Sequence, residues 1–155
     1  MDCRPQLVRI TKALVKVRLE AILIGNAAAA LHGAPVTTLD FDFMFRPTPL
    51  NIRKLKQLAK ALDTTIFRPF YPVSDLYRIM SNSAGLQLDF LPFIHGVRSF
   101  ESLRSRAVKV DFEGATLLVA ALEDIIKSKR AAGRDKDFAV LPVLRAALDE
   151  QKEEK

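Results

Sequence analysis

The stretch that most constrains this chain is Leu39–Phe45, LDFDFMF, in which aspartate alternates with large apolar residues. Side chains on a β-strand alternate faces with a period of two. Leu39, Phe41, Phe43 and Phe45 are therefore expected on one face, and Asp40, Asp42 and Met44 on the other. Two carboxylates about 7 Å apart on one face repel each other unless a cation lies between them. A divalent metal is the usual reason for such an arrangement.

The segment leading into this strand has a defined grammar. Ala21–Ile24 is a short continuous apolar run, consistent with a strand covered on both faces. Gly25-Asn26 turns the chain into Ala27–Leu31, a run of helix formers, and His32-Gly33 ends it, with Pro35 just beyond. His32 reads as a capping or packing residue in preference to a substrate contact. Upstream, Pro5–Leu19 shows the spacing of an amphipathic helix with a basic outer face.

Downstream, Pro49–Leu62 is expected to be a helix with Leu50, Leu55, Leu58, Ala59 and Leu62 inward. Thr64–Phe67 and Asp75–Ser81 read as strands on either side of a proline-punctuated loop. A hairpin turn at Asn82–Gly85 then leads to Leu86–Leu91, where Leu86, Leu88 and Phe90 share a face opposite Gln87, Asp89 and Leu91. Ser99–Ser105 reads as a short helix, and Ala107–Phe112 with Ala115–Val119 as a hairpin around Glu113-Gly114. A helix over Ala121–Ala132, ended by Gly133, precedes a last helix from Asp135 to about Glu150 with Phe138, Leu141, Leu144 and Leu148 inward. Pro142 should kink or split that helix, and Gln151–Lys155 should fray.

Composition narrows the class. The 155 residues are 49% apolar and 27% charged, which fits one globular domain over residues 1–155 and excludes a disordered chain. No apolar run approaches the roughly 20 residues of a membrane span, and Lys12 and Lys16 interrupt any signal-peptide core. Cys3 is the single cysteine, which rules out an internal disulfide and suits the cytoplasm. A net charge of +6 favours polyanionic partners, a nucleotide or a nucleic acid.

If the strands bearing Asp40, Asp42 and Asp89 are neighbours, three carboxylates converge. Hard oxygen ligands of this kind suit Mg²⁺ or Mn²⁺, commonly shared with substrate phosphates. Two such ions can activate an attacking hydroxyl and stabilise a leaving pyrophosphate. The turn at Gly25-Asn26 offers backbone N–H groups at a helix start, where a phosphate can sit. The alternative is that each aspartate is simply solvated at a strand end.

The order of these parts resembles the nucleotidyltransferase superfamily of DNA polymerase β, in which a Gly-Gly or Gly-Ser turn is followed, after a spacer of this length, by D-x-[DE]. Here the pattern is Gly25-Asn26 and Asp40-Phe41-Asp42. The words GNAAAALHGAPVTTLDFDF and LEDIIKSKRAAGRDKDFAVL are most similar to small bacterial nucleotidyltransferases that include the AbiEii-type toxins. The resemblance covers roughly Ala21 to Leu144. It implies an α+β nucleotidyltransferase fold, a mixed β-sheet flanked by helices with further helices at the C-terminus. It also implies transfer of an NMP from an NTP to a hydroxyl acceptor on RNA, protein or a small molecule.

By the same resemblance Asp40 and Asp42 hold two metal ions, and Asp89 completes the site and accepts the proton of the incoming hydroxyl. Gly25, Asn26 and Thr38 lie at the nucleotide, and Lys129, Arg134 and Lys136 stand at the family's basic positions. Those three basic residues read equally well as a solvated helix end, and Asp137 reads as a partner for a nearby Lys or Arg in preference to a metal ligand. Two departures are Asn26 in place of the second Gly or Ser, and Val36 where the family has Arg. They motivate a second reading: a weak or inactive member of the fold that binds nucleotide or nucleic acid, for example within a toxin–antitoxin pair. A core this short is expected to leave little room for a separate acceptor-binding domain, a role that falls to a partner subunit, a dimer contact or the basic surface, with a homodimer or an antitoxin as the partners considered.

Overall fold

In the computed structural model, which describes residues 3–81 and 85–154, the chain forms a seven-stranded mixed sheet with six helices. The elements in order are α1 (Arg4–Val17), β1 (Ala21–Ile24), α2 (Gly25–Leu31), β2 (Asp40–Phe45), α3 (Pro49–Ala61), β3 (Thr65–Phe67), β4 (Tyr77–Met80), β5 (Gln87–Leu91), α4 (Phe100–Arg106), β6 (Val108–Phe112), β7 (Ala115–Val119), α5 (Leu122–Ala132) and α6 (Asp135–Glu153). The strands lie in the order β3-β4-β5-β2-β1-β7-β6. The β2–β5 and β1–β7 pairs are parallel and the others antiparallel. The expected turn at Asn82–Gly85 falls largely outside the described residues.

The sheet is organised by its central strands. All four residues of β1 are buried, as the uninterrupted apolar run predicts for a strand covered on both faces. On β2 the alternation sends Phe41, Phe43 and Phe45 into the core and leaves Asp40 and Asp42 on the opposite face. Phe43 stacks on Phe90 of β5 with ring centroids 5.0 Å apart, and Phe45 meets Phe90 edge-on at 5.9 Å. Burial and ring geometry together lock β2 to β5, because a slip of one residue would turn the phenylalanines out and the aspartates in. The register that results places Asp42 directly beside Asp89.

Local signals set the helix ends. Thr48 caps α3 by accepting a hydrogen bond from the Asn51 N–H at 3.1 Å, and Ser99 caps α4 by accepting from Ser102 N–H at 3.0 Å. α5 ends where Gly133 takes the left-handed conformation.

Several expectations are corrected. Leu39 precedes β2 and is 72% exposed, so it does not share the aromatic face. Leu50 and Phe138, in the first turns of α3 and α6, also face solvent and are about half exposed. The strand expected over Asp75–Ser81 is shorter, Tyr77–Met80. Pro142 does not divide α6: it lies on the exposed side of the helix, where water can satisfy the carbonyl whose partner it removes. α6 also continues through Gln151 to Glu153 where fraying was expected. Gln151 Nε2 donates to His32 Nδ1 at 2.8 Å, and His32 Nε2 in turn donates to the Ala120 carbonyl at 2.8 Å. The packing role read for His32 is what ties down the last turn. Among the described residues no helix is long and apolar enough to cross a membrane.

Candidate active site

The carboxylates of β2 and β5 face an open cleft of about 760 Å³. One wall comes from α5 and the start of α6, the other from β4 and the loops before and after the β4–β5 pair. All nine residues singled out in the sequence line it: Gly25, Asn26, Thr38, Asp40, Asp42, Asp89, Lys129, Arg134 and Lys136. A second, more apolar cavity of about 770 Å³ lies between α1, α2 and the segment before β2, meeting the first at Thr38 and Asp40. Val36 lines that second cavity and not the cleft.

Asp42 is the electrostatic centre. Its carboxyl is pushed up from 3.8 to about 6, first by burial and then by the charges of Asp89 and Asp40, with Lys129 and Arg78 pulling the other way. Among the described residues no side chain hydrogen-bonds or ion-pairs with it. A group in that state gains most from a cation. Gly25 lies against it with φ +70°, and a Cβ built there would stand 3.1 Å from Asp42 Oδ2. Glycine is thus required twice, for the left-handed turn and for the close approach. Asp40 is exposed at the mouth of the cleft; its backbone N–H and carbonyl both engage Thr38 Oγ1, at 3.2 and 2.9 Å.

Asp89 differs. It is 8% exposed and bound in a fork by Arg78, with Nε to Oδ1 at 2.8 Å and Nη2 to Oδ2 at 3.1 Å. Arg78 is directly opposite Asp89 in the antiparallel β4–β5 pair. The three carboxylates therefore do converge, but the third meets an internal cation. Among the described residues no three acidic, His or Cys side chains are grouped as a ready metal cage. Asp40 and Asp42, hard oxygen donors with one of them destabilised as an anion, fit Mg²⁺ or Mn²⁺; Asp89 fits only once Arg78 releases it.

Opposite the carboxylates, Lys129 is mostly buried and its ammonium pKa is lowered by desolvation, against the pull of Asp137 and Asp42. Asp137 is the ion-pair partner the sequence suggested. It is 1% exposed and receives Arg134 Nε at 2.6 Å, Arg134 Nη2 at 3.1 Å and the Arg134 backbone N–H at 3.2 Å. Burial would raise its carboxyl, but these bonds and Lys129 outweigh burial and hold it low. Arg134 thus caps α6 from within the cleft, while Lys136 is exposed there without an ion pair among the described residues. Among the described residues Asn26 Oδ1 is buried without a hydrogen-bond partner.

Arg78 and the aromatic wall made by Phe70, Phe93 and His95 escaped the sequence reading. For Arg78 a signal existed: closing the hairpin at Asn82–Gly85 puts residue 81 opposite 86, and therefore 78 opposite 89. Phe93 and His95 sit on a loop with no periodicity to read.

No protein-family model matches the sequence, and no curated protein is similar to it at a significant level. Solved structures are. The antibiotic-resistance factor ANT(2'')-Ia superposes with a TM-score of 0.65 at 13% identity, over 97% of this chain and 89% of that one. The lincosamide antibiotic adenylyltransferase LnuA gives 0.66 at 12%, over 92% and 96%. An antigenic nucleotidyltransferase-like protein from Paracoccidioides brasiliensis gives 0.59 at 15%, over 98% and 88%. The agreement spans nearly the whole of each chain. The chain has the nucleotidyltransferase fold, an α+β architecture built on a mixed sheet flanked by helices.

Proposed function

We propose that this protein is a metal-dependent nucleotidyltransferase that moves a nucleoside monophosphate from an NTP to a hydroxyl acceptor. The observation that carries the reading is the side-by-side placement of Asp42 and Asp89 on parallel strands, in one cleft with Gly25 and Lys129. The similar structures support it: LnuA is an adenylyltransferase, and ANT(2'')-Ia was captured with adenylyl-2''-tobramycin. A small hydroxylated molecule is one acceptor class they suggest, beside the RNA and protein acceptors that the sequence resemblance implies. The AbiEii-type assignment, a cytoplasmic setting and a single-domain chain working with a dimer or antitoxin partner belong to this same proposal.

Asp40 and Asp42 would hold the Mg²⁺ or Mn²⁺, whose contribution is to neutralise charge on the phosphates and lower the barrier to displacement at phosphorus. Gly25, Asn26 and Thr38, around the start of α2, would receive the phosphates. Lys129, Lys136 and Arg134 face them as cations. The acceptor oxygen forms its bond to the α-phosphorus as the α–β anhydride bond breaks, and pyrophosphate departs with the electron pair. The acceptor proton passes to Asp89, freed from Arg78.

The second reading, an inactive module that binds nucleotide or nucleic acid, draws on Asn26, Val36 and the Arg78–Asp89 pair. Titration of a non-hydrolysable NTP with Mn²⁺ into wild type and the Asp40→Asn/Asp42→Asn variant separates the two. Metal-dependent nucleotide binding that is lost in the variant supports the transferase. Binding that ignores both metal and substitution refutes it.

A further inference from the structure

Resting on the transferase reading, we propose that Arg78 is a positioning residue that keeps Asp89 from metal until nucleotide arrives, so that metal and nucleotide bind together. The pair is built, not incidental. β4 and β5 hold Arg78 opposite Asp89, both oxygens of the carboxylate are engaged at 2.8 and 3.1 Å, and the two side chains are 22% and 11% exposed. Gln87 Nε2 approaches Asp89 Oδ2 as well, at 3.5 Å. Neither Asp40 nor Asp42 has a side-chain partner of this kind among the described residues. Of the three carboxylates, one alone is closed.

A bidentate guanidinium–carboxylate pair is among the stronger polar contacts in proteins. A metal ion that takes Asp89 must break it and leave Arg78 among the cations of the cleft, and that cost is subtracted from the affinity for free metal. A triphosphate removes the cost by offering the guanidinium another anion of matching geometry. While paired with Asp89, the guanidinium also lies against the aromatic wall, its Cζ 5.6 Å from the ring centre of Phe70. The two ligands then favour each other reciprocally, with Arg78 carrying the coupling.

The test is Mn²⁺ binding, followed by loss of the free-ion EPR signal, for the full chain as wild type, Arg78→Gln and Arg78→Lys, with and without a non-hydrolysable NTP. Circular dichroism and melting check that each variant is folded. Arg78→Gln is expected to bind free Mn²⁺ about tenfold tighter, with the enhancement by nucleotide falling by a similar factor. Arg78→Lys, which keeps the charge but not the fork, should fall between. A folded Arg78→Gln that binds Mn²⁺ no tighter than wild type overturns the proposal, as does an unchanged enhancement by nucleotide. If Arg78→Gln does not fold, the same two criteria apply to Arg78→Lys. If no form binds Mn²⁺ even with nucleotide, the transferase reading itself fails. Metal–nucleotide binding by wild type with no effect at Arg78 removes only the coupling role.

Discussion

Replacing Asp42 by Asn should make the metal-free protein more stable, and the structure sets both the size and the pH dependence of the gain. In the folded protein Asp42 loses its proton near pH 6, against 3.8 for an unperturbed aspartate, because burial and two neighbouring carboxylates oppose the charge. Between those values the folded state is the tighter proton binder. The favourable contribution of protonated Asp42 is thus complete below about pH 4, declines as pH rises through about 6, and is gone above about pH 7. A shift of about two units corresponds to about 3 kcal/mol. Asn keeps the shape of the protonated side chain and cannot ionise. Asp42→Asn should therefore be more stable by about 2–3 kcal/mol at pH 7.5 in EDTA, or about 5–10 °C in melting temperature for a chain of this size. Urea denaturation of both proteins from pH 3.5 to 8 measures it, and the difference curve should rise through pH 6 from near zero. A variant no more stable at pH 7.5, or a difference independent of pH, would refute the argument that Asp42 is held as a strained anion.

Two other substitutions test the site and its frame. Gly25→Ala must place a Cβ 3.1 Å from Asp42 Oδ2 at φ +70°, so it should lower stability by about 1–2 kcal/mol in urea and weaken metal–nucleotide binding by moving that carboxylate. Retention of both properties would mean that Gly25 does not press on Asp42. Gln151→Ala removes the donor to His32 and should cost about 1 kcal/mol, with faster amide exchange in the last turn of α6. Unchanged exchange there would show that the His32 contact does not anchor the helix.

The parts of this fold that were legible in the sequence are those fixed by local pattern. The period-two alternation of Asp40–Phe45 settles both the strand and its faces, and the apolar Ala21–Ile24 run settles a strand buried on both sides. Gly25, Gly33 and Gly133 mark turns because their backbones need positive φ. What local pattern cannot carry is the long-range environment. Leu50 and Phe138 fit an apolar spacing, yet each stays about half exposed, even though Asp137, next to Phe138, is buried against Arg134 and Lys129. Gln151 looked like part of a polar tail because its partner, His32, is 119 positions away. Arg78 lies between these cases: its position opposite Asp89 follows from counting back along the hairpin, but the count draws notice only when Asp89 is read as part of a candidate site.

Under the proposed transferase reading, the charges of the cleft favour a composite ligand over either of its components. Asp40, Asp42 and Asp89 face Arg78, Lys129 and Lys136, while Arg134 and Asp137 neutralise each other. A metal ion alone gains from Asp42 but meets Lys129 and the guanidinium on Asp89. A triphosphate alone gains from the lysines but meets Asp40 and the strained Asp42. A metal–triphosphate complex presents each sign to its opposite, the cation toward β2 and the phosphates toward α5 and the start of α2. Both walls carry interactions that are poor with either component and good with the two together. Binding of the pair should accordingly be cooperative, and Asp42, partly buried and with no side-chain partner among the described residues, is the carboxylate that a cation would relieve most.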